Sequence, residues 1–278
     1  MTPDEYCQSK AVASGSSFYY SFLFLPAEKR RAITAVYAYC REVDDVVDEV
    51  SDAGVAEAKI AWWRSELAAL GRGQPGHPVT KALLPFVGAE FGITEARLAA
   101  VLEGMQMDLR QNRYLDYHAL RRYAHLVAGV VGEMSASIFG YSNQATLEYA
   151  GRLGIALQLI NVIRDVGDDA RRGRIYLPLD ELQRFDVKAA DLLNARYVDG
   201  FEPLMRFQAE RARRTYDEAL SLLPQEDRKS QRTGLVMGAI YSTLLDEIEH
   251  AKFRVLHQRI ALTPLRKFWL AWKTWAFA

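Results

Sequence analysis

Apolar residues recur along most of the chain at intervals of three and four positions, which is the spacing of one face of an α-helix. No run of β-branched residues with alternating polarity stands out as a strand. Clusters of Gly, Pro and Asn interrupt the helical pattern at residues 71–78, 140–143, 171–178 and 224–228. The pattern therefore predicts an all-α fold without internal repeats.

The apolar content predicts one enzyme-sized unit. Half of the 278 residues are apolar and no long linker divides them, so we expect a single domain over residues 1–278. The longest apolar runs, at 18–25 and 234–245, are interrupted or shorter than the ~20 residues of a membrane span. Thr2, Pro3 and Glu5 have the spacing of a helix start rather than a signal peptide.

Net charge is uninformative about partners, and cysteine usage only indicates a compartment. Lys plus Arg and Asp plus Glu are balanced at 35 each, so no overall field favours nucleic acid. Cys7 and Cys40 are too few for a disulfide scaffold, which fits a reducing cytoplasm, and we expect both to be small packing residues. Any charged site must therefore come from local clustering.

The first such cluster lies within residues 37–49. Tyr37, Arg41, Asp44 or Asp45, and Asp48 share one face of a helix, and Asp44 and Asp48 are about 6 Å apart along its axis. Carboxylates this close repel each other, and a magnesium ion that also binds substrate phosphates offsets the repulsion. A solvated acidic face is the alternative, but the interleaved valines indicate that one flank is buried.

A second polar stripe lies within residues 154–169. Gln158, Asn161, Asp165 and Asp169 follow one another on one face of an otherwise apolar helix. Buried amides and carboxylates need partners or a bound cation, so the stripe predicts the wall of an internal polar cavity. A buried hydrogen-bond network without a ligand is the alternative.

Two helices that each offer paired carboxylates suit the departure of a diphosphate. Magnesium ions can bridge the carboxylates and the diphosphate oxygens, and neutralise charge on the leaving group. Arginines beside the acids could bind phosphate oxygens directly, and aromatic faces could stabilise the allylic cation that remains. The nearby arginines are Arg41, Arg164, Arg171, Arg172 and Arg174.

Three stretches of the chain resemble the squalene and phytoene synthase family. They are the acidic run at 44–48, the run at 123–132, and the pattern from Leu153 through Gln158, Asn161, Arg164, Asp165, Asp168, Asp169, Arg174 and Tyr176 to Pro178. The likeness also covers residues 16–21 and most of the chain. It implies the isoprenoid synthase fold, a helical bundle around a central cavity.

The resemblance also implies roles for individual residues. Asp44, Asp48, Asp165 and Asp169 match the catalytic magnesium-binding acids, and Asn161 and Gln158 match polar groups near the metals and diphosphate. The matches to substrate-contacting positions are Ser17, Phe18, Arg41, Arg164 and Tyr241, and we add Tyr37 and Arg174 from their places beside the acids. Tyr123 matches a tyrosine that handles a proton or cation, or else it is a core tyrosine. Gly129 and Gly132 would allow close packing or room for a prenyl chain, and Arg171 and Arg172 would form a flap or lie on the surface.

Within the family, the opening residues 16–26 look most like bacterial presqualene diphosphate synthases of the hopanoid pathway. That likeness implies the joining of two farnesyl diphosphates, with magnesium and without NADPH, ahead of downstream enzymes of squalene formation. The alternatives are an NADPH-dependent squalene synthase, a phytoene or dehydrosqualene synthase, a terpene cyclase or head-to-tail elongase, and an inactive helical assembly factor.

The last segment, 264–278, combines three tryptophans with three cations. Such a composition is typical of a helix that lies in a membrane interface without crossing it. We therefore expect a cytoplasmic protein with peripheral contact to the inner face of a membrane, and packing of this segment onto the protein body is the alternative.

Overall fold

A computed structural model describes residues 1–13, 21–22, 24–48 and 52–277. The described residues are mainly helical, as predicted, and extended pairing among them is limited to isolated bridges such as that between Val87 and Ile93. The helices are α1 Pro3–Ala13, α2 Ala27–Asp48, α3 Ala53–Gly71, α4 Pro78–Leu83, α5 Glu95–Arg110, α6 Tyr117–Ala124, α7 Val130–Phe139, α8 Ala145–Arg164, α9 Val166–Arg171, α10 Leu179–Arg184, α11 Ala189–Leu193, α12 Phe201–Leu222, α13 Arg232–His250 and α14 Pro264–Phe277. A π-helical turn at His125–Gly129 joins α6 to α7, and 3-10 turns lie at Leu84–Phe86 and Gln225–Asp227.

Local sequence signals set several helix ends. The Glu5 amide donates to Thr2 Oγ1 at 3.2 Å and the Thr2 amide donates to Glu5 Oε2 at 2.8 Å, which confirms the predicted capping box. His77 caps α4 through its ring nitrogen, and Pro78 occupies the first position of that helix. Gly140 ends α7 at φ 88°, a backbone conformation that favours glycine. The predicted interruptions at 71–78, 140–143 and 171–178 therefore separate helices as expected.

Two hydrophobic cores divide the structure. One is built around α2 with residues of α3, α4, α5 and α7, and the other is built around α8, α12 and α13. Helix α8 packs along both α7 and α12, so it is shared by the two halves. The central cavity lies between the cores, because its wall combines Ile33 and Val36 of the first with Leu157 and Ile240 of the second.

The polar stripe at 158–169 was expected on one helix, but the structure divides it between two. Helix α8 ends at Arg164, and α9 begins at Val166 after Asp165 leaves helical geometry. Gly167 lies against the backbone of Val255 and Leu256, where an added Cβ would be 2.7 Å from the Leu256 carbonyl carbon. The helix is therefore interrupted where a distant segment of backbone packs against it.

Among the described residues, no helix combines the length and apolarity needed to cross a bilayer.

Candidate active site

The predicted site residues converge on one cavity of about 1220 Å³. Ser17 and Phe18 lie outside the described residues, and their predicted substrate contacts stay predictions. The remaining predicted residues all line the cavity: Tyr37, Arg41, Asp44, Asp48, Tyr123, Gln158, Asn161, Arg164, Asp165, Asp169, Arg174 and Tyr241. The two acidic segments therefore form walls of one cavity, as their patterns predicted.

The first wall is the last part of α2. Arg41 pairs with Asp44 at 2.9 Å and with Asp45 at 2.8 Å, both one turn further along the helix. Burial and the neighbouring Asp48 raise the pKa of Asp44 to about 6, although Arg41 acts to lower it. This wall therefore holds more negative charge than its own arginine offsets.

Two arginines from the segment after α9 neutralise Asp48. Arg172 pairs with one carboxylate oxygen at 2.6 Å and Arg174 pairs with the other at 2.7 Å. Arg174 also donates to the Val47 carbonyl at 2.9 Å. The two walls are thus joined by ion pairs, and the predicted flap residue Arg172 reaches across the site rather than lying on a remote surface.

The second wall contains an amide with an unused acceptor. Asn161 donates to Gln158 Oε1 at 3.2 Å, while its own Oδ1 is buried and has no hydrogen-bond partner in the described part of the chain. A buried acceptor without a donor is costly, so this oxygen is suited to a bound cation or a donor from a ligand.

Asp165 and Asp169 have opposite electrostatic surroundings. Burial acts to raise the pKa of Asp165, but the hydrogen bonds and charges of Arg164 and Arg259 hold it below its usual value. Asp169 makes no ion pair with any described cation, and burial together with Asp165 and Asp108 raises its pKa to about 8. The carboxylate of Asp169 is therefore the acid of the site that most needs an added positive charge.

The donor set fits magnesium shared with a diphosphate. Across the described residues, no three His, Cys, Asp or Glu side chains converge closely enough to enclose an ion by themselves. Magnesium needs only one or two carboxylates when phosphate oxygens and waters supply the rest of its octahedron. The free oxygen of Asn161, the repelled acids Asp44 and Asp169, and the carboxylates of Asp48 and Asp165 are hard oxygen donors of the required kind.

An acid that the sequence analysis missed lies beside Tyr123. The Tyr123 hydroxyl donates to Asp108 Oδ2 at 2.7 Å, and the rings of Tyr114, Tyr123 and Tyr176 lie 5.2–5.5 Å apart. Burial raises the pKa of Asp108 to about 6, against the hydrogen bond from Tyr123 and the charge of Arg174. A single acid near the end of α5 has no spacing signal, so only the fold identifies it.

A cationic rim completes the polar end of the cavity. Arg171 pairs with Asp168 and also donates to the Leu256 carbonyl at 3.1 Å. Lys267 of α14 lines the same cavity, and burial followed by the charges of Arg164 and Arg259 lowers its pKa. Neither Arg259 nor Lys267 was predicted, because both lie far along the chain from the acidic segments.

The chain matches one family over most of its length. The squalene/phytoene synthase pattern matches residues 11–266. The chain is 36% identical to a phytoene synthase of Arthrospira platensis, covering 95% of this chain and 89% of that protein. It is 34% identical to the 15-cis-phytoene synthase of Synechocystis sp., covering 96% and 84%.

Solved structures show the same architecture. A dehydrosqualene synthase in complex with ligand superposes with a TM-score of 0.86 at 26% identity, covering 99% of this chain and 96% of that one. The squalene synthase HpnC from Alicyclobacillus acidocaldarius superposes with a TM-score of 0.79 at 26% identity, covering 90% and 94%. The predicted isoprenoid synthase fold is therefore confirmed, and the chain belongs to the squalene/phytoene synthase family.

Proposed function

We propose that the protein is a magnesium-dependent prenyltransferase that joins two farnesyl diphosphates head to head into presqualene diphosphate. Members of the family are enzymes of prenyltransferase type that act on prenyl diphosphates. One observation supports the proposal above others: a large cavity combines two acidic walls and a cationic rim with apolar side chains such as Val36, Leu157 and Ile240. Its volume of about 1220 Å³ exceeds the range of roughly 300–1,000 Å³ usual for a single small ligand, which fits two prenyl chains.

The reaction breaks one bond to diphosphate and releases one proton. The C1–O bond of the first substrate breaks, and its C1 bonds to the C2=C3 double bond of the second substrate. Loss of a proton from that same C1 closes the cyclopropane, so the products are presqualene diphosphate, diphosphate and a proton. NADPH has no part in this step, because nothing is reduced.

The residues of the chain divide this work. Magnesium, when bound, neutralises the leaving diphosphate, and Asp44, Asp48, Asp165, Asp169 and Asn161 would hold it.

Arginines and aromatic residues act on the substrates directly. Arg172, Arg174 and Arg259 lie where they can bind phosphate oxygens in place of the carboxylates they now contact. The cavity-lining rings of Tyr123 and Tyr176 would stabilise the allylic cation, and Tyr123 would relay the released proton, its oxygen accepting one proton while its own O–H proton passes to Asp108.

The names of the relatives favour a second candidate. Several curated relatives are phytoene synthases, which supports the same coupling with a longer prenyl diphosphate. The dehydrosqualene and squalene synthases among the solved structures support farnesyl diphosphate as the substrate. Product analysis must therefore distinguish chain length as well as the final step.

The test is incubation of purified protein with radiolabelled farnesyl diphosphate and magnesium, with and without NADPH, followed by phosphatase treatment. Presqualene alcohol, without squalene when NADPH is present, is the expected product. Squalene would indicate a complete squalene synthase. A parallel incubation with a longer prenyl diphosphate tests the phytoene alternative, which turnover of that substrate alone would favour. No product from farnesyl diphosphate or from the longer prenyl diphosphate would indicate the inactive assembly factor.

Paired variants connect the activity to the site. Asp169→Asn should lower kcat by about 100-fold or more, because it removes a carboxylate that would hold the magnesium neutralising the leaving diphosphate. Asp217→Asn makes the same chemical change at an exposed position of α12 and should retain wild-type turnover. Equal activity of the two variants would contradict the proposed site.

A further inference from the structure

Helix α14 packs onto the protein along one face only. Ala271 is fully buried, and the Trp275 ring stacks on Phe24 with centroids 5.3 Å apart. Arg266 pairs with Glu247 of α13 at 2.7 Å, which fixes the first turn of the helix. These contacts hold α14 in one orientation, so its opposite face points away from the protein body.

The opposite face of α14 is apolar and exposed. Leu265 is 83% exposed, Phe268 is 50% exposed, and Trp269 and Trp272 are each 52% exposed. Their spacing of three and four residues places these four side chains on one stripe of the helix. Isolated exposed hydrophobic residues are ordinary, whereas a contiguous stripe of this size marks a contact surface.

Positive charge borders this stripe. Lys273 lies over the Trp269 ring at 5.1 Å, and Arg266 lies on the same border by its helical position. Helix α14 contains three cations and no acidic residue. Tryptophans with flanking Lys and Arg are typical of helices in the headgroup region of a bilayer, where anionic lipids attract the cations.

The same helix borders the candidate active site. Lys267 of α14 and residues 259–262, shortly before it, line the cavity. A partner bound to the outer face of α14 would therefore lie beside the cavity wall formed by these residues.

We propose that the exposed stripe of α14, Leu265, Phe268, Trp269 and Trp272, docks the enzyme onto an anionic membrane surface beside its cavity. A second copy of the chain is the competing occupant, but two copies would bring their cationic borders together and gain no opposite charge from α14 itself. The advantage to catalysis rests on the proposed function, because it assumes a prenyl substrate or product that partitions into lipid. The docking itself does not.

The test is a flotation assay that compares vesicle binding by the wild type and by tryptophan variants. One set of vesicles contains phosphatidylcholine mixed with phosphatidylglycerol, and the other contains phosphatidylcholine alone. The wild type should float with the anionic vesicles and less with the neutral ones. Replacing Trp269 and Trp272 together with Ser should reduce vesicle binding by at least about tenfold, since it removes two interfacial anchors. Trp62→Ser is the matched control, because Trp62 is 48% exposed on α3 and should leave binding unchanged.

Further measurements make the outcome decisive. Circular dichroism should show that the tryptophan variants are folded, and turnover of detergent-dispersed farnesyl diphosphate should be retained, which separates docking from the proposed chemistry. Vesicle binding by an inactive protein would overturn the proposed function alone. Unchanged flotation of the double variant, or a concentration-dependent dimer that the double variant abolishes without any vesicle binding by the wild type, would overturn the docking proposal.

Discussion

A methyl group at Gly154 should disturb both the fold and the site. Helix α8 crosses the segment 128–132 with backbone against backbone, and Gly154 and Gly132 lie at the crossing. A Cβ on Gly154 would be 2.7 Å from the Ala128 carbonyl carbon and closer still to its oxygen. Carbon atoms in good contact are about 3.5–4.0 Å apart, so the two segments would have to separate by about 1 Å.

The expected loss in stability combines two opposing effects. Overpacking typically costs about 1–3 kcal/mol, and a contact with rigid backbone belongs at the upper end of that range. Alanine in a helix gains up to about 1 kcal/mol over glycine. We therefore expect Gly154→Ala to lower the free energy of unfolding by about 2 kcal/mol.

Catalysis should fall as well, because Gln158 and Asn161 follow on the same helix one and two turns later. A displacement of about 1 Å in such groups can reduce kcat by about 100-fold. Urea unfolding followed by circular dichroism measures the first effect, and magnesium-dependent turnover measures the second. Displacement of Asn161 should affect turnover more than displacement of Gln158, since the free Oδ1 of Asn161 is the atom we assign to a bound cation.

The matched stability control is Gly234→Ala. A Cβ there would first meet the Tyr149 hydroxyl, a side-chain atom, at 3.1 Å, so the variant should lose less stability than Gly154→Ala. If Gly154→Ala were as stable as Gly234→Ala, the close crossing of α8 would be refuted.

Three smaller predictions concern buried polar groups. Burial acts to raise the pKa of Asp227, but hydrogen bonds from donors at 142–146 hold it below its usual value. The ionised carboxylate therefore stabilises the folded protein above the unfolded pKa of about 3.9, and this stabilisation is lost on acidification. Asp227→Asn should therefore lower the free energy of unfolding by about 1–3 kcal/mol at pH 7. The difference in unfolding free energy between wild type and variant should narrow below about pH 4, and a difference that widens there would contradict this. Thr233 has a buried hydroxyl without a described partner, so Thr233→Val should raise the free energy of unfolding by about 1 kcal/mol, and a loss would indicate a bound water. Burial raises the pKa of Cys7 to about 12, so this thiol should not react with a thiol reagent at pH 8 until the protein is unfolded in urea.

The sequence predicted those features that depend on neighbours along the chain. The capping box of Thr2 and Glu5 forms because both partners lie within one turn. The shared face of Arg41, Asp44 and Asp48 follows from helical spacing alone. The two acidic walls could also be placed opposite each other, since a polar stripe in an apolar helix must face an internal cavity or a partner.

Features set by distant contacts were not predictable. The break at Asp165 depends on the backbone of residues 255–256, which packs against Gly167. Residues 264–278 were expected either to pack on the body or to face a membrane; α14 packs on the body along one face and exposes an apolar stripe along another. Helical periodicity indicated helices in both places, but it does not say where a helix is interrupted or which other segment packs against a given face.

The ion pairs of the site give the clearest reason for this limit. Proximity in the sequence correctly suggested that Arg41 and Arg164 lie beside acids, and they pair with Asp44 and Asp165. The partners of Asp48 are instead Arg172 and Arg174, which follow it by 124 and 126 residues. Coulomb energy depends on the separation of the charges in space and on their burial, not on the number of residues between them. A sequence can therefore name the charged groups of such a site, while their pairing requires the fold.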